Sequence, residues 1–331
     1  MTVLFVADAG AEVGGGHVMR CLTLASALER RGLACAFAAG AEVGAILDRF
    51  APATIGRAPP GTGAAAAGAR LVVFDHYRLA ARDHRVAAEG RPVLVIDDLA
   101  DRPLRADLVL DMGADRRAED YAGRVPPGVR LLIGPRYALV RRGFVEARER
   151  ALARRGGPVR SVLAAMGLTD VGGITRRVTE RLMERPDLER IEVVVGEATE
   201  SFRTLTKRAA ADPRLRLHAL GADMVRLMSE ADAAVGAGGS TTWERCVLGL
   251  PSLTAVLADN QRPNARALEA MGAALVCDTA DPDFETAFAA GFDRLAGDAE
   301  LLRSLSRQSA ALCDGEGAER VADACLDLIR S

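Results

Sequence analysis

Residues 2–21 read TVLFVADAGAEVGGGHVMRC, and this stretch decides the fold class. Thr2-Val3-Leu4-Phe5-Val6-Ala7 is an apolar, β-branched run of strand length. After Asp8, the turn Gly14-Gly15-Gly16-His17 opens a helix. Val18, Cys21, Leu22, Ala25 and Leu28 share one face at helical spacing, and Gly32 follows as a stop. A strand, a glycine-rich turn and a helix in that order are the first piece of a parallel α/β sheet.

The same alternation continues outward. Further strands are expected near 33–38, 71–75, 92–97, 107–111 and 130–133, with helices between several of them. Residues 57–69, RAPPGTGAAAAGA, read as a loose surface connection. A charged helix near 143–156 ends in Arg154-Arg155-Gly156-Gly157-Pro158, and the pattern then restarts. Strands are expected near 160–165, 191–195, 214–218, 232–236, 252–257 and 274–277, and helices over 283–330. This predicts two Rossmann-like domains, 1–156 and 157–331, facing an interdomain cleft. Ligands of such sheets bind beyond the carboxyl ends of the strands.

Composition narrows the function. The chain has 331 residues, more than one core usually serves, with 49% hydrophobic and 27% charged residues. A formal net charge of -2 gives no sign of a nucleic-acid binder. No apolar run approaches the ~20 residues that span a bilayer, and the first ten residues lack the features of a signal peptide. The six scattered cysteines form no CxxC pair, which points to reduced thiols. A cytoplasmic protein, monomeric and without nucleic-acid or membrane partners, is expected.

Three constellations carry chemistry. At Gly14–His17 the glycines admit a ligand to the backbone, and free N–H groups at the helix start favour an anion. The positive helix end disfavours imidazolium at His17, leaving a ring able to take a proton. A polar cap is the plainer alternative for His17, and a tight turn for the glycines. The second constellation is Gly236-Ala237-Gly238-Gly239-Ser240-Thr241-Thr242-Trp243-Glu244, after the strand Ala233-Ala234-Val235. Its glycines and hydroxyls suit a diphosphate, and Glu244, one turn into the helix, suits a ribose diol. Trp243, the lone tryptophan, reads as packing. The third is Leu257-Ala258-Asp259-Asn260-Gln261-Arg262, whose polar groups suit a sugar or a helix cap, or both.

Smaller signals are Asp75-His76-Tyr77 and Asp97-Asp98, at strand ends on the expected cleft side. Paired aspartates hold Mg²⁺ in some proteins. No third carboxylate stands at matching spacing, so a hydrogen-bonding role is preferred for Asp98. His84 and His218 read as surface or core residues.

Together these segments resemble a known family. Ala7-Asp8 through Gly16-His17-Val18-Met19-Arg20-Cys21, Asp75-His76-Tyr77, Ile96-Asp97-Asp98-Leu99, Gly134 to Arg141, Met166-Gly167 with Thr169-Asp170, Gly238-Gly239-Ser240 to Glu244, and Asn260-Gln261 occur in order along both halves. The ordered set is similar to the UDP-2,4-diacetamido-2,4,6-trideoxy-β-L-altropyranose hydrolases of pseudaminic acid biosynthesis, relatives of the MurG-type GT-B glycosyltransferases. The resemblance implies a GT-B fold, a UDP-sugar substrate, and cleavage between sugar and UDP without metal or cofactor. It implies His17 as the base that activates water. It further implies substrate contacts at Asp8, Gly15, Gly16, Tyr77, Asp98, Arg136, Gly167, Thr169, Asp170, Gly238, Gly239, Ser240, Thr241, Glu244, Asn260 and Gln261. Flagellin or a surface polysaccharide would finally receive the sugar.

Two positions depart from the family. Val6 stands where arginine is usual, and Leu168 where a glycine is usual. A glycosyltransferase on the same fold, a non-catalytic nucleotide-sugar binder and a 2-epimerase are the rival readings.

Overall fold

The computed structural model describes residues 2–10 and 13–330, in two compact units. The first comprises residues 1–140 and 316–331, the second residues 141–315.

In the first unit, strands β1 (Thr2–Ala7), β2 (Ala34–Ala38), β3 (Gly56–Ala58), β4 (Ala69–Asp75), β5 (Val93–Ile96), β6 (Leu108–Asp111) and β7 (Arg130–Ile133) form one parallel sheet. Its order is β3-β2-β1-β4-β5-β6-β7. Helices α1 (Gly16–Glu29), α2 (Ala41–Phe50) and α3 (Ala81–Ala88) belong to its crossovers. β4 and β5 are buried almost throughout, as strands covered on both faces must be. The order reverses between β1 and β4, where Ala7 pairs with Asp75 and the Asp8 N–H donates to the Asp75 carbonyl at 3.0 Å. Such a reversal is where open α/β sheets present a crevice.

The second unit repeats the plan. It begins with α4 (Arg142–Ala153) and carries β8 (Ser161–Ala165), α5 (Ile174–Met183), β9 (Arg190–Val194), α6 (Glu200–Ala209), β10 (Leu215–His218) and α7 (Met224–Glu230). β11 (Ala233–Ala237), α8 (Thr241–Val247), β12 (Ser252–Val256), α9 (Arg262–Ala270), β13 (Leu275–Asp278), α10 (Phe284–Gly297) and α11 (Ala299–Leu312) complete it. Its sheet is parallel in the order β10-β9-β8-β11-β12-β13, so the reversal falls between β8 and β11. The core is aliphatic, closed by Phe284, Phe288 and Phe292 on one face of α10.

Three expectations are corrected. First, the segment 57–69 is not all loose connection. Gly56–Ala58 pairs with β2 as an edge strand, and Ala64 is fully buried. Second, the boundary is not at residue 156, because α4 belongs with the second unit. Arg148 donates to the carbonyls of Val247, Ala310 and Cys313, and Arg155 to those of Met228, Ala231 and Leu248. These lie at the C-terminal ends of α7, α8 and α11, where carbonyls lack intrahelical partners and favour a cation. Burial, with Arg154 beside it, pushes the Arg155 guanidinium down to about 10, which still leaves it charged at neutral pH.

Third, the last helix, α12 (Gly317–Arg330), returns to the first unit. Its buried face includes Val321, Ala322, Cys325 and Ile329. Arg31 of the α1–β2 connection pairs with Glu319 and Asp323. The close point is Gly317, where a Cβ would stand 2.3 Å from the Ala138 carbonyl oxygen. Backbone cannot yield there as a flexible side chain would. Gly317→Val is therefore expected to destabilise the first unit by about 1–3 kcal/mol, the usual cost of overpacking. An unchanged urea midpoint would show that α12 seats without that contact.

Candidate functional site

In the first unit the chemistry gathers on Asp75, the last residue of β4, which is fully buried. Three residues of α1 reach it. His17 Nδ1 lies 2.6 Å from Oδ1. Arg20 donates through Nε to Oδ2 and through Nη2 to Oδ1, both at 2.6 Å. Cys21 Sγ lies 3.5 Å from Oδ2. Positions 17, 20 and 21 are i, i+3 and i+4, so one face of one helix supplies all three. Gly15 precedes the helix and Gly16 is its first residue, and no side chain caps that start among the described residues.

Burial alone would raise the Asp75 carboxyl, but the charge of Arg20 and the adjacent His17 overcome it and hold the group below the usual carboxylate range. Burial opposes the charge of Arg20 too, and Asp75 and Asp98 outweigh it. Asp75 thus stays an ionised acceptor. An acceptor-only oxygen at 2.6 Å requires His17 to carry a proton on Nδ1, so that in the neutral ring the lone pair is on Nε2.

The network continues to Asp98, just beyond β5. Arg20 Nη1 donates to its Oδ2 at 3.0 Å, and the Tyr77 hydroxyl donates to the same oxygen at 3.2 Å. Tyr77 also meets the His17 ring edge-on, with centroids 4.5 Å apart. Asp8, just beyond β1, faces His76 Nδ1 at 3.4 Å. That nitrogen accepts the Arg78 N–H at 3.2 Å, and burial keeps His76 below its ordinary value despite Asp8. Asp97 is structural, accepting from the Ala100 N–H, Arg102 and the Tyr121 hydroxyl.

Arg136 does not join this group. It is exposed, beyond β7 and four strands from β1, and its guanidinium lies over the Tyr137 ring. Val6 lies partly buried against the first core. His84 is buried against Phe74, and burial lowers its value to about 4.

In the second unit the turn after β11 runs through Gly238, Gly239 and Ser240 into α8, where Thr241 is the first residue. Glu244 is buried, and Arg141 Nε donates to its Oε1 at 2.8 Å. Gln261 has a structural task, since its side-chain oxygen accepts the N–H groups of Gly238 at 3.2 Å and Leu257 at 3.1 Å. A Cβ on Gly238 would stand 3.2 Å from Gln261, so that glycine admits Gln261. Asn260 is exposed in the short 3₁₀ turn before α9. Beyond β8, Gly167 has φ +99° with nothing near its Cβ position, Leu168 is half-buried and Thr169 exposed. Asp170 accepts the Thr175 N–H at 2.9 Å, fixing the start of α5. Trp243 is buried packing, and His218 pairs with Glu192 at 2.5 Å.

Three buried carboxylate oxygens have no hydrogen-bond partner among the described residues: Asp8 Oδ2, Asp98 Oδ1 and Glu244 Oε2. Each is an acceptor whose isolation costs about 1–3 kcal/mol unless a donor meets it. All three residues are among those the sequence singled out. It marks Asp75 only as a strand-end signal without a role, and gives no role to Arg20 or Arg141, although each lies within a matched segment. Among the described residues no group of three or more His, Cys, Asp or Glu could hold a metal ion. All six cysteines are free and buried, and no described helix is long and apolar enough to cross a membrane.

No protein-family model matches the chain. Among characterised sequences it is 27% identical over 206 residues to the spore coat polysaccharide biosynthesis protein SpsG of Bacillus subtilis, covering 62% of this chain and 60% of that protein. The match thus spans less than two thirds of SpsG. It is 24% identical over 271 residues to the UDP-2,4-diacetamido-2,4,6-trideoxy-β-L-altropyranose hydrolase of Campylobacter jejuni, covering 75% and 89%. A shorter match, 34% over 157 residues, covers 44% of this chain and 42% of the UDP-N-acetylglucosamine–N-acetylmuramyl-(pentapeptide) pyrophosphoryl-undecaprenol N-acetylglucosamine transferase of Salinibacter ruber. Among solved structures, Acinetobacter baumannii MurG superposes with a TM-score of 0.69 at 16% identity, covering 98% of this chain and 99% of that one. The fold is GT-B. The S. aureus MnaA–UDP complex aligns similarly, with a TM-score of 0.66 at 13% identity, covering 100% and 97%.

The Asp75 network gives a pH-dependent stability. Its carboxyl titrates lower in the folded chain than the ~3.9 of an unfolded one. The stability it contributes is therefore complete above that value and is lost as pH falls through it. Asp75→Asn is expected to cost about 3–5 kcal/mol at neutral pH by leaving Arg20 buried without its partner. It is also expected to flatten the acid limb of the urea midpoint against pH. An acid limb as steep as the wild type's would assign acid sensitivity to other carboxylates.

Proposed function

We propose that this protein hydrolyses a UDP-linked 2,4-diacetamido-2,4,6-trideoxy sugar to UDP and free sugar, in pseudaminic acid biosynthesis. The observation that carries the reading is the His17–Asp75 pair at 2.6 Å. Asp75 fixes the tautomer, and Nε2 of His17 is the base that takes a proton from water. Water attacks the anomeric carbon opposite UDP and inverts it. UDP leaves as a stable anion, so its departure needs charge stabilisation more than a proton. No second catalytic carboxylate is required, unlike in ordinary glycosidases.

The three unpartnered carboxylate oxygens support the same substrate class. Glu244 Oε2 offers an acceptor to a ribose hydroxyl, and Asp8 and Asp98 offer acceptors to sugar O–H or amide N–H groups. The 236–240 turn holds the diphosphate. Likeness to the Campylobacter hydrolase over most of its length supports the reaction. A metal is not part of the proposal, because Asp97 and Asp98 are engaged by Arg102, Tyr121, Arg20 and Tyr77.

The second reading is a UDP-sugar glycosyltransferase, favoured by the match to the Salinibacter transferase. In ¹⁸O-water without acceptor, the hydrolase reading expects UDP release with one labelled oxygen in the sugar and none in UDP. Release that begins only when an acceptor is added would establish the transferase instead. His17→Ala is expected to lower turnover by roughly 10²–10⁴-fold, with UDP affinity by calorimetry unchanged. Near-normal turnover would remove His17 as the base. Glu244→Ala is expected to weaken UDP binding by about 1.5–3 kcal/mol, the range for a hydrogen bond to a charged group. Unchanged affinity in a folded variant would take Glu244 out of the nucleotide site.

A further inference from the structure

Arg245 lies beneath the 236–240 turn and is 3% exposed. Its Nη2 donates to the Ala237 carbonyl at 3.2 Å, the Thr242 hydroxyl at 3.1 Å and the Thr254 hydroxyl at 3.3 Å. Its Nη1 donates to the Thr241 hydroxyl at 3.3 Å, and its Nε has no hydrogen-bond partner among the described residues. Every acceptor is neutral. Arg245 forms no ion pair among the described residues, whereas Arg20, Arg102, Arg116 and Arg141 each meet a carboxylate. The neighbouring acid, Glu244, is engaged by Arg141.

The sequence makes room for this cation. A Cβ on Gly236 would stand 2.4 Å from Nη1, so only glycine lets the guanidinium lie against β11. Burial lowers the Arg245 value to about 10, so the group keeps its charge at neutral pH. An uncompensated buried charge is costly, and an apolar side chain of similar volume would fill the space at less cost. Its field passes outward through a turn of glycines and short hydroxyl residues. α8 has only seven residues, so a full charge is the larger electrostatic contribution at this place.

We infer that Arg245 is the countercharge for the diphosphate of the nucleotide, acting through the 236–240 turn without touching the ligand. It is a positioning and electrostatic residue, not a catalytic one. The inference rests on the reading that this turn holds UDP. It implies selectivity by charge: UDP over UMP, and UMP over uridine.

Calorimetry with those three ligands on the wild type and on Arg245→Met tests it. Arg245→Met is expected to weaken UDP at least tenfold, equivalent to about 1.4 kcal/mol, to weaken UMP less, and to leave uridine within twofold. Its melting temperature is expected to match or exceed the wild type's. Undiminished UDP affinity overturns the inference, as does an equal loss for UDP and uridine, which would mark Arg245 as scaffolding for the turn. Should Arg245→Met fail to fold, Arg245→Lys decides. Lysine keeps the charge but cannot serve four acceptors, so a retained preference for UDP over uridine supports the inference and its loss overturns it. A wild type that binds none of the three overturns the nucleotide reading itself, and this inference with it. Wild-type UDP binding that Arg245→Met leaves intact overturns this inference alone.

Discussion

A single buried carboxylate, Asp75, organises the first unit's chemistry. Left alone at the end of β4 it would be protonated or would unfold the region, because an isolated buried charge is too costly to keep. Arg20 meets both of its oxygens, and that bidentate contact sets the rotation of α1 against the sheet. Once Arg20 is seated, His17 and Cys21 face the same carboxylate by helical geometry. The remaining Nη1 of Arg20 turns Asp98 inward, and Asp98 in turn receives Tyr77. The tautomer of the neutral His17 ring is thus a consequence of that ion pair.

The sequence made much of this fold legible because its strands are buried on both faces. Runs such as Leu71-Val72-Val73-Phe74 leave little doubt about period or boundary. β3 carries no strand signal because Gly56-Arg57-Ala58 is short, edge-placed and free of β-branched residues. The return of α12 was invisible for another reason. Helical periodicity shows that an apolar face exists, but not what covers it, and the contact at Gly317 is made to backbone some 180 residues earlier. The expected boundary was misplaced because Gly156-Gly157-Pro158 looks like a linker. Arg148 and Arg155 bind α4 to three helix ends that no local pattern reveals.

Within the site, the legible residues were those at strand ends and glycine turns, where position alone suggests exposure to a ligand. The partners were not legible. Asp75 and Arg20 lie 55 positions apart, and only their meeting explains either. Gln261 and Asp170 illustrate the reverse. Their polar character at strand ends suggested ligand contacts, yet each spends a side-chain oxygen on backbone N–H groups that shape its own turn. Arg245 had no signal at all, since a charged residue beside Glu244 in a short helix reads as solvent-facing until its burial is known.

The two units share a strand order but differ in charge at the point where that order reverses. In the first, Asp8, Asp75 and Asp98 stand against one buried guanidinium, Arg20, while the Arg78 that approaches Asp8 is 79% exposed. That excess of carboxylate would repel a diphosphate, but it suits hydroxyl and amide donors and holds a histidine in its basic tautomer. In the second, Glu244 is balanced by Arg141 and Arg245 is left over. That excess of positive charge suits a diphosphate and would be of no use to a general base. The proposed division of labour between nucleotide and sugar chemistry rests on this difference in charge, and the topology that both units share does not by itself predict it.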